Sequence, residues 1–173
     1  SEGLRRGRIA TQLMGAWFGG HLANWLAPAT TGLWRSAPMP GRALAAWGGS
    51  FYAISAASAN ASLAWDLVRM LALDPAVQIQ AFRRHDAFPA LLSAQADAFL
   101  DEPLPFFGGQ RVRSLWRDIA QQIPPRAVHR LDPLADEIVS AELDKVLLRG
   151  KDPTQALGDA DRMLDRRAAR MRG

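Results

Sequence analysis

The residues best suited to hold a metal or move a proton are His21, His85 and His129, and they are far apart in the chain. They show neither i,i+4 pairing nor an acidic neighbour at ligand spacing, so no metal site is expected. Asp101 with Glu102 and Asp136 with Glu137 are adjacent carboxylates. Neighbours on a helix point to different faces, so neither pair makes a glycosidase dyad; both read as solvated surface. A phosphate loop with its lysine, a G-x-S-x-G elbow and a G-x-G-x-x-G fingerprint are all absent, and there is no cysteine. Thiolate chemistry and disulfides are therefore excluded. The expectation is a protein that performs no covalent chemistry, is not an enzyme and needs no cofactor.

What the chain does carry is aromatic side chains beside glycine: AWFGG at 16–20, WGGSF at 47–51 and FFGGQ at 106–110. A neutral, hydroxyl-rich ligand such as a sugar offers C–H faces that stack on indole and polar edges that need hydrogen bonds. Tryptophan next to an accessible backbone N–H satisfies both needs. The same pattern also fits tryptophans in a core with glycines in turns, and composition alone favours that reading.

These candidates must be positioned by a chain of 173 residues, 49% hydrophobic and 22% charged, which is enough for one ordinary domain with a core. Net charge is +4, and 19 of the 21 basic residues are arginine. The excess lies before residue 43, and the remainder is balanced, so no long basic stripe of the kind nucleic acid requires is present. The arginines of the final helix complement its dipole. Residues 9–34 and 43–65 are free of formal charge, but glycine, proline and asparagine interrupt them, so neither reads as a membrane span.

Alternation of side chains predicts short strands at 8–14, 33–38 and 50–54. Helical spacing predicts helices at 16–27, Ala61–Leu73, 74–84, 110–122, 134–148 and 154–171, with Asn60 and Asp74 as caps and Gly150 as a stop. In the fifth of these Ile138, Leu143 and Leu147 are core candidates. The fold class read from this order is α/β, helix-rich with a few strands in the first third.

Six segments in order, GRIATQLMGAWFGGHL, APATTGLWRSAPMP, AAWGGSFYAIS, NASLAWDLVRMLAL, FFGGQ and LLRGKDPTQALGDADRML, resemble the C-terminal part of an extracellular solute-binding protein of a carbohydrate ABC transporter. The likeness covers almost the whole chain. It implies the C-terminal portion of a two-lobe periplasmic-binding-protein fold, with about 1–49 and 103–173 in the C-terminal lobe. Helices between about 60 and 100 would pack on a missing N-terminal lobe, leaving an apolar stripe exposed in this chain. The function implied is non-catalytic binding of a saccharide in an interlobe cleft, for delivery to the permease subunits of the transporter. Such a protein would be periplasmic or extracellular and held at the membrane through the transporter, with its leader encoded upstream.

By the same resemblance, Trp17 and its neighbour Phe18 would supply a stacking platform. Trp47, Gly48, Gly49 and Ser50 would supply the aromatic and backbone contacts at a hinge, and Phe107 and Gln110 would lie at the cleft rim. The segment His85-Asp86-Ala87-Phe88 departs from the family pattern ahead of Pro89. The competing class is an arginine-rich helical interaction module that meets an acidic partner or nucleic acid; the charge balance favours the saccharide and no nucleic acid.

Overall fold

Among the described residues of the first third, backbone hydrogen bonds close turns and helical loops, apart from the Gly32 N–H, which donates to the Phe106 carbonyl at 2.9 Å, and none pairs strands. The computed structural model describes residues 2–46, 49–125 and 127–170. Among them the only β pairing is a single bridge between Leu104 and Gln110. The fold is all-helical, which corrects the α/β expectation and with it both the C-terminal portion of a two-lobe periplasmic-binding-protein fold, whose lobes are built on sheets, and the strands at 8–14, 33–38 and 50–54. Each of those runs alternates over only five to seven residues. Alternation describes a half-buried surface, and without a neighbouring strand to complete its ladder it does not fix one. Within the third run Phe51 is 94% exposed and Tyr52 58%. In the second run the Ser36 backbone is held by a side chain instead: its N–H donates to Gln110 Oε1 at 2.9 Å and its carbonyl accepts from Gln110 Nε2 at 2.7 Å.

The elements are α1 (Glu2–Arg5), α2 (Phe18–His21), α3 (Ala61–Leu73), α4 (Pro75–His85), α5 (Val112–Ala120), α6 (Asp132–Arg149) and α7 (Pro153–Arg170). A π-turn, Leu22–Leu26, continues α2 directly. Short 3-10 turns at Ala94–Ala96, Ala98–Asp101 and Pro105–Phe107 fill the stretch that the prolines keep from becoming a long helix. The chain divides into two units, Ser1–Ile123 and Pro124–Gly173.

The first unit has two apolar centres. Leu4, Leu22, Ala27, Phe106, Phe107 and Val112 form one, and Ile79, Phe82, Ala94, Phe99 and Leu100 the other; Trp116 of α5 packs against both. Asp74 starts α4 as its sequence suggests, its carboxylate accepting from the N–H groups of Ala76 and Val77. Helix α4 is anchored by Ile79, Phe82 and the buried Gln78 amide, which donates to the Ala72 carbonyl and accepts from the Leu91 N–H. Helix α3, in contrast, has no buried residue. The expected exposed stripe is therefore present on α3 but not on α4.

The second unit is a hairpin of α6 and α7. Gly150, at φ 66°, ends α6 in a left-handed turn: its N–H donates to the Val146 carbonyl, the bond of an αL cap, and that of Lys151 donates to the Lys145 carbonyl. Ala156, Ala160 and Ile138 are buried, but Leu143 and Leu147 are exposed and Glu142 takes the inner position, at 2% exposure. Lys145 and Lys151 both donate to the Glu142 carboxylate, Lys151 also reaches Asp159 at 2.6 Å, and Arg162 closes on Asp159 at 2.5 Å.

The lysine bonds, led by Lys145, hold the Glu142 carboxyl below its ordinary range, and Lys151 does the same to Asp159. Lys151 itself is pushed up, first by Asp159 and then by Glu142. A two-helix hairpin is one layer deep, so nearby solvent tempers all three shifts. Depressed carboxyls stabilise the folded hairpin fully above the ordinary carboxylate range, and that contribution is lost as pH falls through their folded values. The raised lysine contributes below its ordinary value and loses that contribution as pH rises through its folded one. The protection factors of α6 and α7 amides, that is hydrogen exchange corrected for the intrinsic rate at each pH, should therefore fall on acidification. Glu142→Gln should flatten that acid limb, and an unchanged limb would show that the network does not hold the hairpin.

Candidate functional site

Helix α2 and the π-turn that follows it place Trp17, His21 and Trp25 on one stripe. The Trp17 and His21 rings have centroids 4.9 Å apart at 63°, and those of His21 and Trp25 are 4.7 Å apart at 48°. Trp17 is 38% exposed and Trp25 65%, with His21 half-buried between them. The opposite stripe, Phe18, Leu22 and Leu26, packs into the first apolar centre. A π-turn spaces successive turns wider than an α-helix does, and such turns recur at functional sites. Here it carries Trp25, and the Ala27 N–H closes it by donating to the Leu22 carbonyl at 3.0 Å.

Gly19 and Gly20 belong to the helix and not to a turn. A Cβ on Gly19 would lie 2.9 Å from the Trp116 ring, and one on Gly20 would fall 2.7 Å from the Asp86 carboxyl carbon. The glycine pair thus seats α2 against α5 on one side and brings Asp86 beside the ladder on the other. Asn24 Nδ2 donates to Asp86 Oδ2 at 3.4 Å, a long bond, so both groups retain capacity to bind hydroxyls. Asp86 stands in the left-handed region, φ 54° and ψ 27°, where it ends α4. The segment whose sequence departs from the family pattern therefore reaches the candidate site.

Behind this edge the Arg113 guanidinium lies 3.9 Å above the Phe99 ring and 5.8 Å from that of Phe82. Arg83 lies 4.1 Å from the Phe99 ring as well. Arg113 is buried, and its Nε has no hydrogen-bond partner. Burial pulls its pKa below the ordinary arginine value, against the opposing pull of Asp86 and Glu102. The aromatic rings take the place of a carboxylate partner.

Of the residues expected at a ligand, Trp17 sits on the ladder, and Phe18 points to the core beneath it. Phe107 is buried against Phe106 and Trp116, and Gln110 spends its amide on Ser36. Gly108 and Gly109, at φ 62° and 81°, make the tight loop that the FFGGQ segment needs. Gly49 and Ser50 are exposed and away from secondary structure; Trp47 and Gly48 lie outside the described residues. His21, Asn24, Trp25 and Asp86 were not singled out from the sequence as ligand contacts. The i,i+4,i+8 spacing of 17, 21 and 25 was the available signal for the ladder. Nothing local signals Asp86.

Among the described residues no three His, Asp or Glu side chains converge as a metal site. No helix of the described residues is long and apolar enough to cross a membrane. Comparison of the chain with protein-family models, curated proteins and solved structures gives no match.

Proposed function

We propose that the chain binds a saccharide, without covalent chemistry, on the Trp17–His21–Trp25 ladder. The observation that carries this is the ladder's open side: two tryptophans joined through a histidine by edge-on and tilted ring contacts, both indoles more than a third exposed, with an amide–carboxylate pair at one edge. Indole faces accept the C–H face of a pyranose, and Asn24 and Asp86 offer a donor and acceptors to its hydroxyls. Two successive indoles on one stripe suit a chain of sugars better than a single ring. In the resemblance described above, the ligand is handed to the permease subunits of an ABC transporter; we propose the same fate here.

The platform is open on one side, so a bound sugar stays half solvated. Affinity for this chain should be about millimolar, near 4 kcal/mol. Quenching or blue-shift of tryptophan emission, titrated with mono- and oligosaccharides at low and high salt, tests the reading. The expected result is saturable change with oligosaccharides that barely responds to ionic strength. Binding that collapses steeply with salt would point instead to a phosphate-bearing partner of the arginines.

A further inference from the structure

One stripe of α3 carries Leu63, Leu67 and Met70, at 71%, 54% and 46% exposure. Ala64, Val68, Leu71 and Ala72 are the half-buried ones, and Ala64 and Leu71 border this stripe. The outer residues line an open, almost wholly apolar depression of about 550 Å³, with Asn60, Ala64 and Asp66 at its margins. Four turns of helix with an apolar outer stripe and no cover are an interaction surface by construction.

The charges on α3 say what covers it. The helix has only two, Asp66 and Arg69, and they lie on the same flank of the stripe. They form an i,i+3 pair at 3.6 Å with both side chains about 60% exposed, a contact of little strength by itself. Their positions are symmetric about the point between Leu67 and Val68, near the middle of Ala61–Leu73. When two identical helices pack antiparallel about a two-fold axis, residues on one flank of the first face the same flank of the second. Such an axis at that midpoint sets Asp66 against the partner's Arg69 and Arg69 against the partner's Asp66. A self-complementary charge pair centred on an apolar stripe fits a second copy of this chain.

We propose that α3 is a self-association surface, through which two copies of this chain pair antiparallel with Leu63, Leu67 and Met70 interdigitating between them. Small Ala64 leaves room beside Leu63 and Leu67 for the partner's Leu67 and Met70 to insert. The three side chains with Leu73, counted from both copies, remove roughly 800 Å² of apolar surface from water, at or below the low end of specific interfaces. The dimer is therefore weak, with dissociation weaker than micromolar.

Sedimentation equilibrium of the whole chain across micromolar to submillimolar concentrations tests this. The expected result is a reversible monomer–dimer equilibrium that Leu67→Asp abolishes, with the far-UV spectrum and thermal transition retained because Leu67 is exposed. Asp66→Arg and Arg69→Asp should each weaken dimerisation by about tenfold, and the two together should restore it. The double reversal keeps the test valid if one single variant folds poorly. A chain that stays monomeric throughout overturns the proposal. So does a dimer indifferent to Leu67→Asp and to the charge reversals, which would place the interface elsewhere.

Discussion

Trp116→Ala should destabilise the first unit by about 3 kcal/mol, a large share of the 5–15 kcal/mol typical of a folded domain. Among the described residues, Trp116 is the one side chain that packs against both apolar centres. Its ring meets Phe107 edge-on at 6.0 Å, and its Nε1 donates to Ser36 Oγ at 3.0 Å. The close seat of Gly19 means that α2 rests on this indole as well. Removing it opens a cavity where α2, the 104–110 loop and the Ser36 segment converge. Urea denaturation followed by near-ultraviolet circular dichroism measures the loss. Trp116→Phe should cost less, since a ring remains and only the bond to Ser36 and part of the contact are lost. If alanine is tolerated within 0.5 kcal/mol, of the order seen for surface sites, the two centres do not depend on each other.

Trp25→Ala should leave stability nearly unchanged, because about two-thirds of this side chain already faces water. Its effect on saccharide binding should be large: removal of a stacking platform near the centre of the contact costs about 2 kcal/mol, or roughly 30-fold. Starting from a millimolar site, such a loss leaves no measurable binding. Trp17→Ala should lose binding to a similar degree but also some stability, because Trp17 packs edge-on to Phe18 and is less exposed. The contrast between the two variants separates ligand contact from support of the fold. Equal loss of stability with no loss of binding in either would remove the ladder from the site.

The helices were legible where periodicity was sustained over three turns or more. Helix α3 spans Ala61–Leu73 as its apolar spacing predicts, α4 begins at the Asp74 cap, and Gly150 ends α6 in the left-handed turn its sequence suggests. Asn60 precedes α3 without making a side-chain cap bond, so the helix start followed from its apolar spacing and not from that cap. The three short strands failed for a physical reason: a strand is completed by a partner far away in sequence. The group that satisfies the Ser36 backbone is the Gln110 amide, 74 residues on. Burial on α6 was misread because the facing helix decides it: Lys151 and Asp159 make a carboxylate at 142 acceptable inside, which turns Leu143 and Leu147 outward.

At the candidate site Trp17 was visible as an aromatic residue in the AWFGG segment, and Trp25 falls in the helix expected over 16–27 without being marked as a contact. In the structure Trp17, His21 and Trp25 face out, and Phe18, Leu22 and Leu26 face in. The pair of glycines proved to be close packing between helices, with Asp86 and Trp116 as the neighbours that require it. Contacts of that kind join positions more than sixty residues apart and leave no local pattern.

Binding of a saccharide on the ladder is within reach of ligand-observed saturation-transfer NMR with an oligosaccharide panel at the affinity expected. The expected result is transfer to the C–H protons of one sugar face in the presence of the wild-type chain, retained at high salt and lost with Trp25→Ala. Transfer that persists unchanged in Trp25→Ala, or none to any saccharide at millimolar concentrations with the chain folded, would contradict it.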